Sequence, residues 1–178
     1  KKMKILIGPI NRSPLRCGFF TVAIALCWFA LSPSLRAADC PTDCGPGGNT
    51  AVGNGALDSL STGTNNTAVG ANTLTANAAG GYNTAVGAGA LDLNTADSNT
   101  ATGAAAPLFN TTGTENTANG TAALEFNETG SNNTAVGAFA LFNNDASGNG
   151  TAAFNTGVGS GALAANVDGG LNTAVGVG

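Results

Sequence analysis

The chain is 178 residues long, with 9% charged residues, no histidine and a formal net charge of −4. Its six basic residues, Lys1, Lys2, Lys4, Arg12, Arg16 and Arg36, all precede its ten acidic residues, which begin at Asp39. Beyond position 38 there is thus no cation to meet phosphate, which argues against nucleic acid and anionic membranes as partners. Nor is there a histidine or lysine for acid–base or nucleophilic chemistry.

Residues 1–38 read as a secretory signal. Lys4, Arg12 and Arg16 form the charged region, and Cys17 to Leu31 form an apolar run. Pro33 and Ser34 break that run, and Ala37 and Ala38 supply small residues for cleavage. The apolar stretch is shorter than the ~20 residues a membrane span needs, so a helical, cleaved leader is expected rather than a permanent anchor. Lys1 and Lys2 stand before Met3, and Gly178 falls inside a repeat. The sequence therefore reads as part of a longer frame, with any membrane anchor expected beyond its C-terminal end.

Residues 39–48 form an irregular Cys/Pro/Gly lead-in. Cys40 and Cys44 suit a small disulfide loop in an oxidising compartment. As a zinc site they lack a second ligand pair.

Residues 49–178 are built from one phrase, Asn-Thr-x-x-Gly. Its Asn and Gly fall at Asn49 and Gly53, Asn66 and Gly70, Asn83 and Gly87, Asn99 and Gly103, Asn116 and Gly120, Asn133 and Gly137, Asn155 and Gly159, and Asn172 and Gly176. Start-to-start spacings are 17, 17, 16, 17, 17, 22 and 17. A period this short has no room for a helix pair and predicts an all-β fold, a parallel β-roll or β-solenoid of about 17-residue repeats.

Counting each Asn as position 1, position 3 is mostly Ala and position 4 mostly Val. Positions 8 and 9 are usually Ala-Leu, position 12 is Asn in six of seven complete copies, and a second Gly recurs near position 15. Period-2 alternation puts Thr and Val on one face of a strand, and Asn, Ala and Gly on the other. The β-branched pair suits a pleated surface, and the small face admits another backbone. Ala-Leu is expected to form a second short strand, with Gly and Asn in the turns. No 3.6-residue apolar stripe supports a helix.

Acidic residues within the repeats enter only at position 10 or later: Asp58, Asp92, Asp97, Glu115, Glu125, Glu128, Asp145 and Asp168. The front half of each unit is therefore expected to be packed around a Val, a Leu and two Ala, and the rear half to form a solvated rim. The scattered carboxylates suit neither a catalytic pair nor a calcium array of Asp-x-Asp-x-Asp type. No enzyme activity, cofactor or metal site is expected. A single unit buries too little apolar surface to offset its backbone entropy, so units must stack. With small or apolar residues on both strand faces, one face is left for a neighbour, and a homotrimer is expected.

At this point the units resemble the head repeats of trimeric autotransporter adhesins, the YadA-like heads. The matching stretches are the eight Asn-Thr-x-x-Gly phrases with the Ala-Leu that follows them. The resemblance covers about residues 49–178 and implies a left-handed parallel β-roll of three packed chains. It also implies an outer-membrane, cell-surface location and attachment to host or matrix ligands. Similar arrays also occur in phage tail-fibre-type and other exported proteins that end in a self-cleaving chaperone domain.

The leading function is thus an exported cell-surface structural or adhesive module. The alternatives are an extracellular fibre shaft, or an ice-binding solenoid carrying its Thr column at position 2. The sequons at Asn65, Asn110, Asn119, Asn127, Asn132 and Asn149 are expected by chance in a chain this rich in Asn and Thr. The 22-residue unit is the expected protrusion. Phe109, Phe126, Phe139, Phe142 and Phe154 are expected to cap or thicken the core where Thr102, Pro107 and Asn119 interrupt the pattern.

Overall fold

A computed structural model describes residues 47–107 and 109–178. The expected leader at 1–38, its cleavage residues Ala37 and Ala38, and the pair Cys40 and Cys44 lie outside the described residues.

Eight three-residue strands follow one another: β1 (Thr50–Val52), β2 (Thr67–Val69), β3 (Thr84–Val86), β4 (Thr100–Thr102), β5 (Thr117–Asn119), β6 (Thr134–Val136), β7 (Thr156–Val158) and β8 (Thr173–Val175). They form one parallel sheet in sequence order, and the described residues contain no helix. Each strand returns beside its predecessor after one coil, so the chain is a β-solenoid. Every step pairs Thr with Thr at position 2. At ~4.8 Å per step, the sheet extends about 34 Å across its strands.

The strand phase is the reverse of a hydrophobicity-based reading. Alanine at position 3 is buried in β1 to β6 (Ala51, Ala68, Ala85, Ala101, Ala118, Ala135), while the flanking Thr and Val point outward. Val52 is 48% exposed and Val86 and Val136 are each 38% exposed. The coil is too narrow for Val inside. Among the described residues, its interior holds small residues and asparagines, together with the leucines Leu57, Leu74, Leu91, Leu124 and Leu141.

The expected second strand does not form. Those leucines sit in a turn at φ 50–57°, in the left-handed region. This conformation costs about 1–2 kcal/mol per residue. Full burial of the leucine side chain, about 1.5–3 kcal/mol, offsets it. Coil-to-coil bonding continues here without strand geometry: Leu57 N donates to Thr73 O at 3.0 Å, and Leu124 N to Ala140 O at 3.0 Å.

Candidate functional site

Two asparagine columns run through the interior, and they define what the outside is free to do. The first is position 1. In each coil from Asn49 to Asn155, Oδ1 accepts the backbone N–H of the next coil's Asn at 2.9–3.0 Å. Its Nδ2 donates across its own coil to the carbonyl at position 15. Examples are Asn49 to Gly63 O at 2.9 Å, Asn66 to Gly80 O at 2.8 Å and Asn116 to Gly130 O at 2.9 Å.

The second column is position 12, where Asn77, Asn94, Asn110, Asn127 and Asn144 are fully buried. Their amides reach the same carbonyl, so two asparagines clamp one oxygen in each coil: Asn66 and Asn77 on Gly80, Asn99 and Asn110 on Gly113, Asn116 and Asn127 on Gly130. The rear half is therefore not a solvated rim. It carries a buried amide column, because the position-15 carbonyl needs donors that a narrow coil cannot take from water. In the first coil Leu60 replaces this Asn, and Gly63 O keeps only Asn49.

The repeat glycines at position 5 hold the corner after each strand. Gly53, Gly70, Gly87, Gly103, Gly120, Gly137, Gly159 and Gly176 have φ 124–143°. A Cβ on Gly103 would lie 2.5 Å from Gly120 O, a contact no side chain survives.

Coil length varies in one segment only. The 16-residue coil shortens the path from Asn94 to its acceptor Ala96, and the 22-residue coil lengthens the path from Asn144 to Ala152. Elsewhere the two residues are three apart, as in Asn110 and Gly113. The long segment is tied down rather than free. Asp145 is fully buried, and its carboxylate accepts Thr129 N at 2.9 Å, Thr129 Oγ1 at 2.7 Å and Gly150 N at 2.8 Å. Ser147 Oγ and Asn149 Nδ2 both donate to Asp168 Oδ1.

The phenylalanines stay outside the core. Phe109 and Phe126 stack with centroids 5.0 Å apart and planes 7° apart; Phe142 meets Phe126 edge-on at 5.1 Å, and Phe139 meets Phe142 at 5.6 Å. Phe109 is 37% and Phe139 49% exposed. Residues at the same position in successive coils lie about 4.8 Å apart, which suits ring stacking on the outside. The interior beside two asparagine columns has no room for a ring.

Two exterior surfaces remain. One is the Thr/Val face of the sheet, interrupted by Thr102 and Asn119. The other is the aromatic stripe, with Leu93 one coil before Phe109. Among the described residues no group of three or more His, Cys, Asp or Glu side chains converges on a point that could hold a metal. The sequons also divide by burial. Asn110 and Asn127 are committed to the interior column, whereas Asn65, Asn119 and Asn149 are exposed. Comparison with protein-family models, curated proteins and solved structures finds no match.

Proposed function

We propose that the chain is a non-catalytic structural and adhesive module of an exported surface fibre, assembled as a homotrimer through its Thr/Val face. The observation that carries this reading is the outward valine column. Val52, Val69, Val86, Val136, Val158 and Val175 stand in register on a sheet whose interior is already filled by Ala, Leu and Asn. A soluble single chain gains nothing from a repeated apolar column on its outer face, whereas a neighbouring chain does. The basic, apolar and small-residue order of 1–38 supports export. The resemblance of the eight phrases to YadA-like heads supports a trimer at the cell surface, attached to a host or matrix ligand. The alternative is an extracellular fibre shaft of the tail-fibre type, which the similar repeat arrays of such proteins support.

The test is expression of the protein in a non-adherent bacterium. Repeats accessible to added protease, together with gained adhesion to a matrix-coated surface, are expected. Repeats protected inside the cell would sink the proposal. A second reading, ice binding, draws on one observation: eight threonines in register on the same face. Thermal hysteresis in a nanolitre osmometer decides it.

A further inference from the structure

The aromatic stripe borders a groove that the strand face does not explain. Leu93, Phe109, Thr111, Phe126, Glu128 and Ala146 enclose about 220 Å³. That is smaller than the 300 Å³ at which small-molecule pockets usually begin, and is the scale of one long side chain. One wall is apolar: Leu93 is 40% exposed, and Phe109 and Phe126 present the flank of their stack. The lining also includes Thr111 and Glu128. Thr111 Oγ1 donates its proton to Glu128 O at 2.9 Å, so its lone pairs remain to accept.

The Glu128 carboxylate rests against the long coil. A Cβ on Gly148 would lie 2.5 Å from its Oε2, so the extra residues of that coil buttress it. Among the described residues, no hydrogen bond or ion pair engages that carboxylate. Asp92 and Glu125 flank Leu93 and Phe126 in sequence, and no cation follows Arg36 anywhere in the repeats. Burial pushes the Glu125 carboxyl up, as expected beside apolar side chains.

We propose that this groove seats an arginine side chain of an extended basic segment on a partner protein. The methylene stem would lie along Leu93, Phe109 and Phe126, and the guanidinium would meet Glu128, with Thr111 as a second acceptor. Charge complementarity selects this occupant: the groove offers an apolar wall, acceptors and negative charge. The inference rests on the attachment reading and names the chemistry of the partner. Binding is measured apart from assembly, so a monomeric chain would fail the trimer and leave the groove standing.

The probe is a short fluorescent peptide of alternating Arg and Ser, titrated into the full chain by anisotropy. A matched peptide with Gln for Arg is the control. We expect saturable binding of the Arg peptide, none of the Gln peptide, and weakening in high salt. Glu128→Gln should weaken binding about tenfold, the scale of one charge-assisted contact. Glu115→Gln, which removes the same charge away from the groove, should leave binding unchanged, and Phe109→Ser should weaken it. Equal binding of both peptides would overturn the proposal in favour of plain apolar docking. Equal losses in Glu128→Gln and Glu115→Gln would overturn it in favour of diffuse attraction.

Discussion

The strand side of the coil keeps Thr opposite Thr through all seven steps, across coils of 16, 17 and 22 residues alike. Between the second asparagine and the residue at position 15, the same chain loses one residue at Asn94 and gains five after Asn144. The difference follows from what each side must satisfy. Position 5 lies against the next coil's backbone, and position 1 feeds both the next coil's N–H and its own coil's carbonyl. The variable segment has only to return a carbonyl to two waiting amides, and any path length that does so is tolerated.

Breaking the strand side should have the largest effect. Gly103→Ala places a Cβ 2.5 Å from a carbonyl at φ +134°, and should cost about 3 kcal/mol or more in chemical denaturation. Asn116→Leu comes next. It orphans the buried N–H of Asn133 and removes one donor from Gly130 O, for about 2–4 kcal/mol. Asn127→Leu should cost less, about 1–2 kcal/mol: Gly130 O keeps Asn116, and the Asn133 and Asn144 amides that Asn127 accepts from keep Ala152 O. No backbone N–H is orphaned, only Asn110 Oδ1 losing its donor. If the two losses are equal, the columns are not ranked as described.

On the variable side, deleting residues 146–150 restores a 17-residue coil. Because it also removes the Gly150 N–H from the buried Asp145 carboxylate and the Ser147 and Asn149 bonds to Asp168, it should cost about 1–2 kcal/mol in the same measurement. The smallest effect belongs to Glu125, whose raised pKa reflects burial that disfavours the charged form. The folded state holds that proton more tightly than the unfolded one. Stability is therefore lost as pH rises from the ordinary glutamate range through the raised value. Glu125→Gln should raise Tm slightly at neutral pH, with the gain vanishing in acid, as read by thermal melts across pH.

Much of this architecture was legible in the repeat. The phrase gave the period, the parallel stacking and the glycine corner. Four features were not legible, each for a physical reason. Period-2 alternation separates Thr/Val from Asn/Ala/Gly but does not say which set goes inside. Hydrophobicity favours Val, yet the narrow coil and its carbonyls admit Ala and require Asn. The recurrence of Asn at position 12 was visible, but an amide reads as surface until its partner at position 15 is placed. Left-handed leucines cannot be told from strand leucines in an Ala-Leu dipeptide. The aromatic groove depends on rings from successive coils lying at the inter-coil spacing, which sequence order hides.

The outward valines are where the proposed assembly is most exposed to test. Val86→Asp and Val136→Asp lie on the outer face, where β4 and β5 already carry Thr102 and Asn119, so each variant should fold. Multi-angle light scattering of the full chain should give the mass of three chains for the parent and of one chain for the double variant. A parent that stays monomeric at every concentration, or a double variant that still forms the trimer, would contradict assembly through this face.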